Sequence, residues 1–155
     1  VPFDLAACSR TLDSQGFWRW VYRTRFLRTL KRKSLLKESR FPGELNAQRV
    51  RGARTLFEFD DAVTAAVHGF KSAPDYYEQS SSGPFVQRVR VPLLLLSAED
   101  DPFIPASTIP REVPGNVTLE VWPKGGHLGF VEGSMWRPRY YAERRAAEFL
   151  AAHLE

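Results

Sequence analysis

The sequence predicts an α/β protein, with parallel strands flanked by helices, on three observations. The run Val91-Pro92-Leu93-Leu94-Leu95-Leu96 is apolar without alternation, the pattern of a strand covered on both faces in a parallel sheet. A second strand is expected over 117–122, and the segment between the two holds Pro110 and Pro114, so the crossover helix must be short or irregular. Helical patterns precede and close this pair, as layered α/β packing requires. With 155 residues, 43% of them hydrophobic, the chain has material for one domain with a core and lacks the composition of disordered, collagenous or coiled-coil sequences.

From the N-terminus, Val1-Pro2-Phe3-Asp4-Leu5 reads as the end of a strand passing into a helix. From Gly16 to about Glu38, Phe17, Val21, Phe26, Leu27, Leu30 and Leu35 recur at helical spacing, while Arg19, Arg23, Arg25, Arg28, Lys31, Arg32, Lys33 and Lys37 occupy other positions. This is an amphipathic basic helix, broken at most once, and Asp13 or Ser14 could cap its free N–H groups. Pro42-Gly43 marks a turn. A second helix is expected over 60–68, with Asp60 and Asp61 near its N-terminal dipole and Gly69 just past its end. A shorter helix over 74–80, a loop at Ser80-Ser81-Ser82-Gly83-Pro84 and a helical turn at 85–89 lead into the first strand. Tyr141, Arg144 and Arg145, with Ala147, Phe149, Leu150 and Leu154, make an amphipathic closing helix over 138–154. Two strands, apolar on both faces, leave open edges and lack independent stability, so the fold is expected to start upstream of Val1.

The single cysteine, Cys8, excludes an internal disulfide and a multi-cysteine metal site. His68, His127 and His153 lack the paired spacing of metal ligands, so neither metal nor cofactor is expected. No run approaches the roughly 20 apolar residues that span a bilayer, and no leader pattern opens the sequence. With the lone cysteine this points to a cytoplasmic location.

The candidate chemistry lies at the two strand ends. Leu93–Leu96 releases Ser97-Ala98-Glu99-Asp100-Asp101-Pro102, and the second strand releases Pro123-Lys124-Gly125-Gly126-His127. One crossover and one strand separate Asp101 from His127, which places both at one sheet edge, where ligands of open α/β sheets gather. An acid and then a histidine, in that order, are the last two members of a Ser…Asp…His triad. Asp101 would orient the ring and stabilise the imidazolium, and His127 would move the proton. Taken singly, Asp101 could be a helix-capping loop aspartate and His127 a structural histidine. Asp100 is the rival acid, but Pro102 and the spacing to Pro105 favour Asp101 and leave Asp100 to the loop backbone; Glu99 ranks third. No G-x-S-x-G elbow is present, Ser134 lacks a preceding strand, Ser80–Ser82 lie in a loop, and Cys8 sits among apolar neighbours.

The net charge of +4 matters less than its location, because the excess lies between Arg19 and Lys37. Such a run is commonly the solvated face of a helix covering a core. The other reading is an anionic surface, since Arg and Lys neutralise phosphates and Trp18, Trp20 and Tyr22 suit an interface. No nucleic-acid motif accompanies the run, so nucleic acid is not an expected partner and an anionic membrane surface is the alternative kept.

In the order Pro2-Phe3-Asp4-Leu5, the basic stretch from Phe26-Leu27 to Lys33, Phe57-Glu58-Phe59-Asp60-Asp61, Gly69-Phe70, Asp75-Tyr76-Tyr77, Asp101-Pro102-Phe103 and Gly125-Gly126-His127-Leu128-Gly129-Phe130, the chain resembles the C-terminal half of the α/β-hydrolase superfamily, in its YheT-like branch. The resemblance implies a parallel-rich sheet with a helical cap inserted after the sixth strand. Residues 1–15 would be the end of a core strand and its turn, 16–70 the cap, and 71–155 the C-terminal half of the core. It also implies a serine hydrolase acting on carboxylic esters, from short-chain esters to phospholipid acyl chains, with Asp101 as acid and His127 as general base. The serine elbow and oxyanion-hole loop would precede Val1, in a missing N-terminal half, and the 155 residues alone would be inactive. The competing expectation is a non-catalytic remnant whose basic helix binds anionic lipid.

Overall fold

Strands β1 (Leu93–Ala98) and β2 (Val117–Trp122) pair in parallel, Leu93 opposite Val117 and Ala98 opposite Trp122. They belong to a computed structural model that describes residues 2–134 and 136–154. The N-terminal strand reading begins at Val1, which lies outside the described residues; residues 2–4 are described without strand pairing and lead into a helix. The chain divides into two units, Asp4–Ser81 and the segment from Ser82 onward joined by Pro2 and Phe3.

In the strand-bearing unit, helix α7 (Gly83–Val86) starts against the first residues of the chain, where Gly83 N–H donates to the Phe3 carbonyl at 3.0 Å. A Cβ on Gly83 would lie 2.8 Å from that same oxygen, so only glycine fits. Asn116 then fixes the start of the sheet, its Nδ2 donating to the carbonyls of Val89 at 3.1 Å and Val91 at 2.8 Å. The crossover from β1 to β2 contains one short 3₁₀ turn, Ala106–Thr108, consistent with its prolines. After β2 an antiparallel hairpin, β3 (Val131–Ser134) and β4 (Arg137–Tyr140), precedes helix α8 (Tyr141–Ala151). Glu120 of β2 anchors α8, accepting from Tyr141 Oη at 2.8 Å and Arg145 Nε at 2.7 Å. The hairpin corrects the sequence expectation of helix from residue 138. Its strands are short, exposed and largely polar, so they carry no hydrophobic period to read.

The other unit is helical among its described residues. Asp4 caps α1 (Leu5–Asp13) by accepting from Ala7 N–H at 2.8 Å. Helix α2 (Phe17–Arg40) runs without a break and starts at Gly16, whose φ of +139° suits glycine; no side chain caps it. Asp13, expected at that cap, accepts instead from Leu56 N–H at 2.8 Å and Phe57 N–H at 3.1 Å. It thus holds the start of α4 (Leu56–Phe59), four residues before the expected helix start. The helix continues through a π-helical turn, Asp60–Thr64, into α5 (Ala65–His68), and ends at Gly69 with φ +76°. Asp60 and Asp61 therefore lie within the helix and away from its N-terminal dipole.

Leu27, Leu45, Val50, Ala53, Phe59, Ala62 and Val63 form this unit's core, with α3 (Ala47–Gly52) contributing the fully buried Val50. Beside it, α6 (Ala73–Ser80) brings Tyr77 Oη to donate to Asp60 Oδ2 at 2.7 Å and to lie 3.1 Å from Ser9 Oγ. Burial raises the Asp60 carboxyl above its ordinary range, although the Thr64 and Tyr77 hydroxyls oppose the shift. Burial likewise pushes the Tyr77 phenol up.

Because the folded chain holds a proton on Asp60 more tightly than the unfolded chain does, its contribution to stability is complete below the unfolded value near ~3.9 and fades as pH rises through the higher folded value. Asp60→Asn cannot ionise, so urea unfolding over a pH series should show this variant gaining stability relative to the native sequence as pH climbs through that window. A difference that stays flat or falls would contradict the assignment.

Candidate functional site

The parallel register brings two loops out at one edge. Glu99 N–H donates to the Trp122 carbonyl at 2.8 Å, continuing the ladder one residue beyond the strands, and the chain then turns, with Asp101 N–H directed at the Ala98 carbonyl at 3.4 Å. The adjacent carboxylates that follow serve different partners. Asp100 Oδ1 accepts from Gly125 N–H at 2.9 Å and Gly126 N–H at 2.8 Å. These two amides hold the exposed Asp100 carboxyl below its ordinary range, Gly126 contributing most. Asp101 Oδ1 accepts from Phe103 N–H at 2.7 Å and Ile104 N–H at 3.0 Å, which leaves Oδ2 for His127 Nδ1 at 2.9 Å. The Asp101 side chain is 6% exposed and that of His127 37%, so the acid is sheltered while the ring keeps an open side.

An ionised carboxylate only accepts, so Nδ1 carries the proton of this bond and Nε2 of the neutral ring is a free base. Phe103 stands edge-on to the imidazole with ring centroids 4.8 Å apart and limits its tilt. The loop carrying His127 has little freedom. Phe130 is buried at φ +42° and donates its N–H to the Gly125 carbonyl at 2.9 Å. A Cβ on Gly125 would lie 2.7 Å from the Phe130 ring and 3.0 Å from Ala98 Cβ, and Gly126 has φ +62°. The two glycines are thus required for different reasons, one for close packing and the other for backbone conformation.

Asp101 and His127 are brought together, Asp100 braces the histidine loop, and Glu99 contributes its backbone to the ladder. The remaining sequence candidates lie elsewhere. Ser134 Oγ accepts from Arg137 N–H in the hairpin, and Ser81 Oγ accepts from Leu5 N–H and donates to the Tyr77 carbonyl. Cys8 is buried in α1, His68 is exposed at the end of α5, and His153 Nδ1 donates to the Phe149 carbonyl. Sequence reading missed Phe103 and Phe130 as wall and brace of the ring; an aromatic two residues after the acid and another three after the histidine were the available signals. The hollow beside the pair, bounded by Leu96, Ile104 and Phe130, measures about 40 Å³. That is far below the ~300 Å³ floor of small-molecule pockets, so these residues alone do not enclose a substrate. Among the described residues no His, Cys, Asp and Glu cluster could hold a metal ion.

No family model and no solved structure match the chain. Curated proteins do. YheT of Escherichia coli, named as a candidate esterase, is 37% identical over 159 residues, covering 100% of this chain and 46% of that protein. Phospholipase ABHD3 of Homo sapiens is 31% identical over 159 residues, covering 100% of this chain and 38% of that protein. The chain belongs to the α/β-hydrolase superfamily, as a YheT-like C-terminal region. Monoacylglycerol lipase ABHD2 of Homo sapiens matches this YheT-like chain at 39% identity over 100 residues, 61% of it and 24% of that protein. The YheT-like chain spans less than half the length of each of these relatives.

Asp100→Ala removes the acceptor shared by two amides, so hydrogen exchange at Gly125 and Gly126 should accelerate roughly tenfold, in line with loss of a charge-assisted bond. Unchanged protection at both glycines would show that the loop holds without Asp100.

Proposed function

We propose that this chain carries the acid and the general base of a serine hydrolase that cleaves carboxylic esters, acyl lipids among them. The observation that carries this reading is the 2.9 Å bond from His127 Nδ1 to a sheltered Asp101 at the carboxyl edge of two parallel strands. The names of the relatives, esterase, phospholipase and monoacylglycerol lipase, support ester bonds as the target.

In this reading His127 Nε2 takes the proton of a serine hydroxyl as its oxygen attacks the ester carbonyl. The imidazolium then donates that proton to the departing alkoxide as the tetrahedral intermediate collapses to an acyl-enzyme. Water then attacks the acyl carbon as it loses a proton to the same nitrogen, and the imidazolium returns that proton to the serine oxygen as the acyl–serine bond breaks and the acid leaves. Two backbone N–H groups and the ring engage Asp101, and its negative charge stabilises the imidazolium. The serine and the oxyanion-hole donors are assigned to residues outside these 155, which contain no G-x-S-x-G. Residues 16–70 are assigned to a helical cap, 1–15 to the chain leading into it, and 71–155 to the C-terminal part of the core.

The test uses the full-length protein and p-nitrophenyl butyrate. His127→Ala should reduce hydrolysis to near the uncatalysed rate and suppress fluorophosphonate labelling, while Asp101→Asn should lower kcat by about 10³ to 10⁴ with KM little changed. The 155 residues purified alone should neither hydrolyse the ester nor label. Full activity in the His127 variant, or labelling of the 155-residue chain, would overturn the reading.

A further inference from the structure

We propose that the outward face of α2 docks on an anionic lipid surface. The proposal does not depend on the acid–base pair, because every residue it uses lies on this helix. Over its 24 residues α2 extends about 36 Å. Its inner face is committed to the core, with Leu27 buried and Leu30 and Leu35 packed against the same cluster. On the opposite side Trp18, Arg25, Arg28, Arg32 and Leu36 are exposed, and residues at these three-, four- and seven-residue spacings share one face.

The cations of α2 fall into two groups. Arg19 Nη1 donates to Ser14 Oγ, Arg23 Nη1 to the Asp13 carbonyl and Lys31 Nζ to the Arg51 carbonyl, and Lys37 pairs with Glu44. Arg25, Arg28, Arg32, Lys33 and the terminal Arg40 are exposed and have no ion pair or side-chain hydrogen bond among the described residues. The helix has one acid, Glu38, near its far end, and its carboxylate is engaged by Gly43 and Leu45 N–H groups. Among the described residues the ion pair on this helix is Lys37–Glu44, near its far end, and the outward face remains positive.

Charge alone would fit a solvated face. The aromatic side chains do not. Trp18 is 69% and Trp20 54% exposed, and Phe17 lies with its ring centroid 5.3 Å from Trp18 and 6.3 Å from Trp20. At the other end Leu36 is 52% exposed. An arginine row bracketed by apolar anchors suits a helix lying in the interface plane, with guanidinium groups on lipid phosphates and indoles at headgroup depth. Nucleic acid would use the same arginines, but it offers Leu36 nothing to pack on. No helix among the described residues is long and apolar enough to cross a membrane, so the contact is one of lying on the surface.

The test is cosedimentation of the full-length protein with vesicles of equimolar phosphatidylglycerol and phosphatidylcholine, against pure phosphatidylcholine. Binding should favour the anionic vesicles and vanish at high salt. Arg25→Gln/Arg28→Gln/Arg32→Gln should weaken it roughly a hundredfold, from about fivefold per cation. Trp18→Ala/Trp20→Ala should weaken binding while preserving its salt dependence. His127→Ala should bind like the native protein, which separates this proposal from the hydrolase reading. Equal binding to neutral vesicles, an undiminished triple variant, or preference for a single-stranded oligonucleotide over the anionic vesicles would each overturn it, and the salt titration of the native protein needs no variant.

Discussion

The carboxylate of Asp100 clasps two successive backbone N–H groups, those of Gly125 and Gly126, and the arrangement of the candidate site depends on that clasp. Parallel pairing alone places the ends of β1 and β2 side by side, but four residues of loop separate Trp122 from His127 and could carry the ring in many directions. Fixing the loop at Gly125 and Gly126 places the clasp immediately before His127. Asp101, next along the other loop, is held by the N–H groups of Phe103 and Ile104 so that its second oxygen faces Nδ1. Two neighbouring aspartates thus divide the work, one holding backbone and the other holding the ring.

The same chemistry recurs through the helical unit. Short helices leave unpaired N–H groups at their starts, and a carboxylate is the strongest side-chain acceptor for them. Asp13 reaches across sequence to the start of α4, and Asp61 accepts from Ala73 N–H at 2.8 Å just as α6 begins. Glu38 gathers the turn after α2 through Gly43 and Leu45. These acids join elements in a unit whose core is small. Asp60 differs, because its oxygens meet hydroxyls in a buried setting and its protonation is tied to folding.

The legible parts of the sequence were those with a strong local signal. The unalternating Leu93–Leu96 run and the second strand emerge as a parallel pair, and the helical period of α2 survives intact to Arg40. Gly69 ends its helix in the left-handed conformation that its position suggested. The meeting of Asp101 and His127 was readable because both lie in the short loops that leave the same ends of these strands. Harder to read were features set by distant partners. Asp13 looked like a local cap and serves a helix more than forty residues away, whereas Thr55, which caps α4, opens a Thr55-x-x-Glu58 pattern that a helix start at Asp60 passes over. The β3–β4 hairpin is polar and exposed, so no period announces it. The packing of Gly125 against Phe130 and Ala98 is a contact that sequence spacing cannot reveal.

The proposed chemistry requires Nδ1 of His127 to be the donor to Asp101, with Nε2 left bare as the base. Nitrogen-15 NMR of the histidine-labelled, full-length protein with the ring neutral reads this directly. The expected spectrum shows the Nδ1–H tautomer at His127, lost in Asp101→Ala. A neutral His127 carrying its proton on Nε2, or averaging between tautomers as in free imidazole, would contradict the account.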